Sequence, residues 1–229
     1  MPIRMIIIYI VPTIILNDFF MWLKSKAVQI WARRLHIYIS MALLVVTLFF
    51  ALTGITLNHP DWFELREPVR QQHTFTISTD LLLGADHRVK IEQSRLLALM
   101  NSQFELRGTP SEMDIYTEVE NGQLLMGEIS LDFKGPGYNA TAFVDLLSGK
   151  TEVETTDYGW VALLNDLHKG RNSGGVWKGF IDISAMLMVL FVLSGVCLLL
   201  PKRKTLITSI QWTGLGTLLT LIIYLFAVP

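Results

Sequence analysis

Five histidines, His36, His59, His73, His87 and His168, are the residues of this sequence best suited to chemistry near neutral pH. Imidazole titrates close to pH 7 and binds metals in its neutral form, so it can carry protons or ligate a metal. His73 and His87 lie in polar, surface-like stretches and read as solvated. His36, His59 and His168 each sit at the edge of a long apolar run, where an ionisable side chain is a functional candidate by default. If Trp31 to Asn58 is one continuous helix, the 23 residues from His36 to His59 cover about 34 Å, too far to share a metal. His168 precedes the second apolar run on the His59 side, so His59 and His168 form the candidate ligand pair. Arg171 and Lys169 follow directly and could bind an anionic group.

A structural reading of the same residues stands beside this one. His36 would then anchor among headgroups next to Arg33 and Arg34, and His59 would hydrogen-bond the loop where its helix ends. His168 would pair with Asp166 or Asp182, and Arg171 and Lys169 with the same carboxylates or with lipid phosphate. Asp182, about one turn into the second apolar run, would stay hydrated or meet Arg171.

The elements that must position these groups are apolar helices. The chain is 51% hydrophobic and 17% charged, whereas a soluble domain carries about 25% charged residues. Ile37 to Leu57 and Leu206 to Val228 contain no ionisable side chain, and Phe180 to Leu200 contains only Asp182. Each run is long enough to cross a hydrocarbon core of about 30 Å. Lys24, Lys26, Arg33 and Arg34 precede the first run, and Lys202, Arg203 and Lys204 follow the second, which makes both clusters cytoplasmic. Asp61 to Arg171 holds 18 acidic and 10 basic residues, a formal charge of −8, and falls on the opposite side. That acidity argues against a nucleic-acid partner. The single cysteine, Cys197, excludes an internal disulfide and a cysteine metal site, so the domain must be held by its core.

Residues 1–29 precede the first strong span. Within them Met5 to Leu16 is apolar but short, contains Pro12 and is followed by Asn17 and Asp18. A fourth span, an interfacial segment, or translation that starts at Met21 are all compatible with it. A secretory signal is not, for want of a small-residue cleavage site.

The region between the first two spans reads as α+β. Alternation predicts strands at His73 to Ser78, Met113 to Val119, Leu124 to Phe133, Asn139 to Leu146 and Thr151 to Thr155. Helical spacing covers Lys90 to Phe104 and Tyr158 to Lys169, the latter closing on Gly170. Asn121-Gly122 is a hairpin signal, and Asn172 to Gly175 reads as a hinge. Trp177 fits an interfacial aromatic, and Gly214 and Gly216 fit close helix approach. No internal repeat is visible, and zinc-protease, dinucleotide, Walker and nucleophile-elbow signatures are absent.

Several segments resemble a known family. Arg33-Arg34-Leu35-His36-Ile37-Tyr38 opens a span that ends in Leu52-Thr53-Gly54-Ile55-Thr56-Leu57-Asn58-His59. Ala142-Phe143-Val144-Asp145-Leu146-Leu147-Ser148-Gly149-Lys150 closes the inserted region, followed by Asn165-Asp166-Leu167-His168-Lys169-Gly170-Arg171, Trp177, Ile181-Asp182 and Leu193-Ser194-Gly195. In order and spacing these resemble the bacterial PepSY-associated transmembrane proteins, in the short form with one extracytoplasmic PepSY-like domain. The resemblance implies a multi-pass protein of the bacterial inner membrane with a periplasmic domain. The expected fold class is an α-helical membrane protein with three strong transmembrane helices, a fourth being open at the N-terminus, and an inserted α+β PepSY-like domain. Its parts would be a first transmembrane helix at 30–59, the periplasmic domain at 60–176, a second transmembrane helix at 177–201, a basic turn at 202–205 and a third transmembrane helix at 206–229. PepSY domains elsewhere accompany secreted peptidases, which implies a non-enzymatic accessory or regulatory role. Larger relatives look like ferric-siderophore and metal reductases that carry haem between histidines. They imply the alternative, a haem-binding electron-transfer subunit that serves iron uptake, with haem b at His59 and His168 and Arg171 beside it. The expected partners are membrane lipid and either a protein or a second copy of the chain.

Overall fold

Strands that bury one face alternate apolar and polar residues with period two, and the centre of this protein follows that rule. The computed structural model describes residues 18, 20–63, 67–84, 88–120 and 123–229. Met5 to Leu16, His87 and the Asn121-Gly122 hairpin signal lie outside the described residues. The chain divides into two units, Thr47–Asp182 and a second made of residues up to Val46 together with Ile183–Pro229.

In the first unit, β1 (Val69–Thr76), β2 (Thr109–Pro110), β3 (Asp114–Glu120), β4 (Gln123–Gly135), β5 (Tyr138–Asp145) and β6 (Lys150–Asp157) form one antiparallel sheet. Its order is β1-β6-β5-β4-β2, with β3 also paired to β4. Along β4 and β5 the residues facing the core are Ile129, Leu131 and Phe133, opposite Val144, Ala142 and Ala140. Setting small residues against large ones leaves a trough for α5 (Gln93–Gln103). Leu96 and Met100, four residues apart on one helix face, fill it with no exposed surface. The short helices α3 (Pro60–Phe63) and α4 (Thr79–Leu82) flank β1 in sequence, and Leu82 of α4 joins the core.

Turn chemistry fixes the hairpins. Between β5 and β6 the Asp145 carboxylate accepts the N–H groups of Leu147 and Ser148 and the Ser148 hydroxyl. Those bonds hold its carboxyl below the usual carboxylate range. Between β4 and β5, Gly137 takes φ +64°, and a Cβ there would lie 2.7 Å from the Leu163 nitrogen. Leu163 belongs to α6 (Gly159–Lys169), so this glycine lets the helix press directly on the turn.

The second unit contains α1 (Lys26–Ala42), most of α7 (Gly174–Leu199) and α8 (Arg203–Ala227). The predicted continuous helix from Trp31 to Asn58 is instead two, α1 and α2 (Leu44–Asn58), separated at Leu43 and bent by 56°. No proline or glycine marks the break. The Ser40 hydroxyl, three residues before it, bonds the Ile37 carbonyl and competes with the helix ladder, a recognised cause of bending. α7 and α8 are each long and apolar enough to cross a membrane, and α1 with α2 supplies a third span only if the bent pair is counted as one. α7 starts inside the predicted hinge, at Gly174. No residue of α8 is buried.

The predicted strands and helices are present with shifted ends. β1 begins four residues before the predicted strand, and the two-residue β2 carried no pattern that could announce it. Gly137→Ala is expected to destabilise the full-length protein in detergent by at least about 1–2 kcal/mol, the left-handed backbone penalty alone. An unchanged thermal unfolding midpoint would mean that α6 does not pack on the turn as described.

Candidate functional site

Four consecutive residues at the end of α6, Asn165, Asp166, Leu167 and His168, bond three parts of the first unit: α2, the β4–β5 turn and the start of α7. Asn165 Oδ1 accepts the Thr56 hydroxyl of α2 at 2.6 Å. Asp166 Oδ2 accepts the Gly137 N–H of the β4–β5 turn at 2.9 Å. The Leu167 carbonyl accepts the Trp177 indole N–H of α7 at 2.8 Å. His168 Nδ1 meets the Thr53 hydroxyl of α2 at 2.6 Å. The segment holds its shape because Gly170, at φ +65°, ends α6 with the Gly170 N–H on the Leu167 carbonyl and the Arg171 N–H on the Asp166 carbonyl, a Schellman cap.

The bond at Thr53 defines the state of the imidazole. The Thr53 hydroxyl has one proton, and it goes to the Phe49 carbonyl at 2.6 Å, so toward His168 it can only accept. Nδ1 therefore carries hydrogen and Nε2 keeps its lone pair. Thr53 is buried, Phe50 meets the imidazole edge-on at 5.0 Å, and Gly54 lies alongside its Cε1. Burial, with the Lys169 charge adding to it, pushes the His168 imidazole below its ordinary value.

The second unit contains the same arrangement, built from other residues. His36 Nδ1 lies 3.1 Å from the Ser194 hydroxyl and 3.2 Å from the Phe191 carbonyl, and Ser194 donates to that carbonyl at 2.7 Å. A carbonyl cannot donate, so Nδ1 again holds the hydrogen. Phe191 stacks on the imidazole at 4.4 Å, and a Cβ at Gly195 would come within 3.2 Å of its Cε1. Gln29, seven residues earlier on α1, donates to the Cys197 carbonyl at 2.8 Å, so the two side chains fasten α1 to α7.

Aligning the two receptors exposes a short repeat. Phe50-Ala51-Leu52-Thr53-Gly54-Ile55 and Phe191-Val192-Leu193-Ser194-Gly195-Val196 share the pattern Phe, small or branched apolar, Leu, hydroxyl, Gly, branched apolar. The phenylalanine, the hydroxyl and the glycine are the residues in contact with imidazole in both cases. Thr53, Ser194, Phe50, Phe191, Gly54 and Gly195 were missed as site residues, although the repeated Leu-hydroxyl-Gly triplet was readable.

The other candidates have separate surroundings. His59 accepts the Asn58 amide at Nε2, 3.2 Å away, and stacks on Trp62 at 3.9 Å. It lies six residues beyond Thr53, about 9 Å farther along the helix and on a different face. The structure thus gives His59 and His168 different partners. Arg171 faces Asp166 at 3.9 Å, and no ion pair is seen for Asp182 among the described residues. His36 bonds α7 through Nδ1. His73 is exposed and stacks on Phe104. Among the described residues no three His, Cys, Asp or Glu side chains are grouped to hold a metal.

Apolar helices long enough to cross a membrane, carrying an inserted antiparallel sheet, define a membrane-associated protein of mixed α and β structure. The family model described as PepSY_TM-like matches residues 30–229, and the chain belongs to that family. Comparison with curated proteins and with solved structures gives no match.

Two measurements check the His168 assignment. Thr53→Val is expected to cost about 1–3 kcal/mol by leaving the imidazole N–H unsatisfied, and Thr53→Ser far less. Because the folded-state value is lowered, the His168 contribution to stability is complete above the unfolded value near 6.5. It is lost as pH falls through the lower folded value. The thermal midpoint should therefore drop as pH falls below about 6.5, and His168→Asn should flatten that part of the drop. A variant with the wild-type slope would refute the assignment.

Proposed function

We propose that this chain is a multi-pass inner-membrane accessory protein, not an enzyme by itself, whose periplasmic sheet domain acts on a protein partner or a second copy. In this reading the spans are 30–59, 177–201 and 206–229, the basic clusters face the cytoplasm, and 60–176 is the periplasmic domain. The observation that carries it is the run of four bonds from Asn165 to His168. A domain that only needed tethering could hang from a flexible linker. Here one helix end ties the sheet turn to α2 and to the start of α7, so a load on the sheet is passed to the apolar helices. Asp166→Ala removes the sheet tie and tests this. Amide exchange of the full-length protein in nanodiscs should rise several-fold at Gly137 and also along Thr53 to Thr56. A rise confined to the β4–β5 turn would contradict transmission.

One observation favours a second reading, a haem-bearing electron-transfer subunit that supports reduction of ferric siderophores or metals. At both His36 and His168 the ring is fixed through Nδ1, and Nε2 has no hydrogen bond among the described residues. Metal-bound histidines are oriented this way, with the far nitrogen donating to a protein oxygen. Haem b, when bound, would supply one-electron chemistry. His168 and His59 would hold it, with Arg171 near enough in sequence to serve a propionate. His59 Nε2 accepts the Asn58 amide, a bond between neighbouring exposed residues that it would give up on ligation. Purification from a haem-replete host, with visible spectra before and after dithionite, separates the readings. A reduced α band near one haem per chain, lost in His168→Ala, would support the electron carrier. A folded preparation without haem would support the accessory protein.

A further inference from the structure

The inserted region is acidic, yet one of its cavities is cationic. A cavity of about 570 Å³ opens between α6 and the β4–β5 end of the sheet, wholly within the first unit. Lys134, Lys169 and Arg171 line it, against the single carboxylate of Asp166. That carboxylate is already engaged. One oxygen accepts the Gly137 N–H, and the other is 3.9 Å from Arg171, beyond hydrogen-bond range. Lys134 reaches Asp132 only at 3.6 Å, and Lys169 has no ion pair among the described residues. The three cations therefore keep most of their donors. Three cations line this cavity in a segment with 18 acidic residues to 10 basic.

The remaining lining points the same way. Asn165 uses its carbonyl oxygen on the Thr56 hydroxyl, which leaves its amide hydrogens to offer. The wall is also rigid: the Schellman cap fixes the Arg171 backbone, and Gly137 packs Lys134's hairpin against α6. A site so rich in donors and so poor in acceptors suits a compact oxyanion with several oxygens. Its volume admits a phosphate with a small substituent. Arg171 lies three residues before the start of α7, so the cavity sits where the chain leaves the sheet domain for an apolar helix.

We propose that this cavity binds a phosphate group, mono- or diester, between Lys134 on the sheet side and Lys169 and Arg171 on the helix side. A lipid headgroup and a soluble phosphate compound present the same chemistry, and the test distinguishes them. Full-length protein is purified in detergent and delipidated. One arm measures labelled inorganic phosphate by equilibrium dialysis at constant ionic strength. The other measures retention of phosphatidylglycerol, against phosphatidylcholine, by native mass spectrometry. Saturable one-site binding is expected in at least one arm, weakened at least about tenfold when Lys169→Gln and Arg171→Gln are combined. Binding of inorganic phosphate assigns the site to soluble phosphate compounds, and binding of phosphatidylglycerol alone assigns it to lipid. Lys134→Gln, on the opposite wall, should weaken binding independently and keeps the test valid if the double variant folds poorly. No saturable binding in either arm, or variants that bind like wild type, overturns the proposal.

Discussion

A hydroxyl on an apolar helix has one proton to give, and at Thr53 it is committed to the Phe49 carbonyl. Whatever approaches the oxygen from the other side must donate, and the partner is the His168 ring. That constraint propagates. To deliver an N–H to a buried threonine, α6 must end beside α2 in one orientation, and the residues just before His168 then fall into register with their own partners. Asn165 meets Thr56, one turn from Thr53 on the same helix, while Asp166 points back to the sheet turn. Displacing His168 would strand a buried N–H or hydroxyl, a penalty of about 1–3 kcal/mol each. Satisfied polar groups thus hold the junction between sheet and apolar helices, beside the ring contacts of Phe49 with Trp177 and of Phe50 with His168.

The twin arrangement at His36 follows from the same physics. Helices surrounded by apolar side chains gain little from further apolar contact, so small residues and hydrogen-bonding side chains decide how they pair. A serine or threonine that bonds its own helix one turn back hides its proton and presents a lone pair. A glycine lies beside it; at Gly195 it makes room for the imidazole, whereas at Gly54 a Cβ would meet the ring at an ordinary contact distance. A stacked or edge-on phenylalanine fixes the ring plane. Both apolar helices carry this receptor and each takes its histidine from another element, so the repeat is one of function within the fold rather than of sequence length.

Much of the fold was legible because it rests on local period. The strand at Leu124 to Phe133 alternates, and its partner at Asn139 to Leu146 alternates with it, so their pairing needed only a turn. β1 was shortened in the reading because an edge strand with almost every residue exposed has no alternation to detect. The break at Leu43 was invisible because the usual markers, proline and glycine, are absent and Ser40 is an inconspicuous substitute. The candidate site was legible in part. Histidines at the ends of apolar runs stand out in the sequence, but the pairing of His168 with Thr53 spans 115 residues, and a threonine inside an apolar run reads as a tolerated small polar residue. His59 and His168 make separate contacts, His59 with Asn58 and Trp62 and His168 with Thr53. Sharing a side of the membrane constrains height alone, whereas ligation also requires a shared helix face.

Anchoring and ligation are not exclusive roles for these histidines, because they use different ring nitrogens. A purely structural side chain would need to satisfy only the Thr53 or Ser194 oxygen, and an amide could do that with less desolvation of an ionisable group. Imidazole adds a second nitrogen, whose lone pair meets no hydrogen-bond partner among the described residues at either place. In an apolar setting an unused acceptor is a cost unless water, a ligand or a partner side chain meets it. The fixed tautomer then decides what can arrive: a hydrogen-bond donor or a metal, never an acceptor. The accessory and electron-carrier readings therefore share one anchored geometry, and they differ only in what meets Nε2.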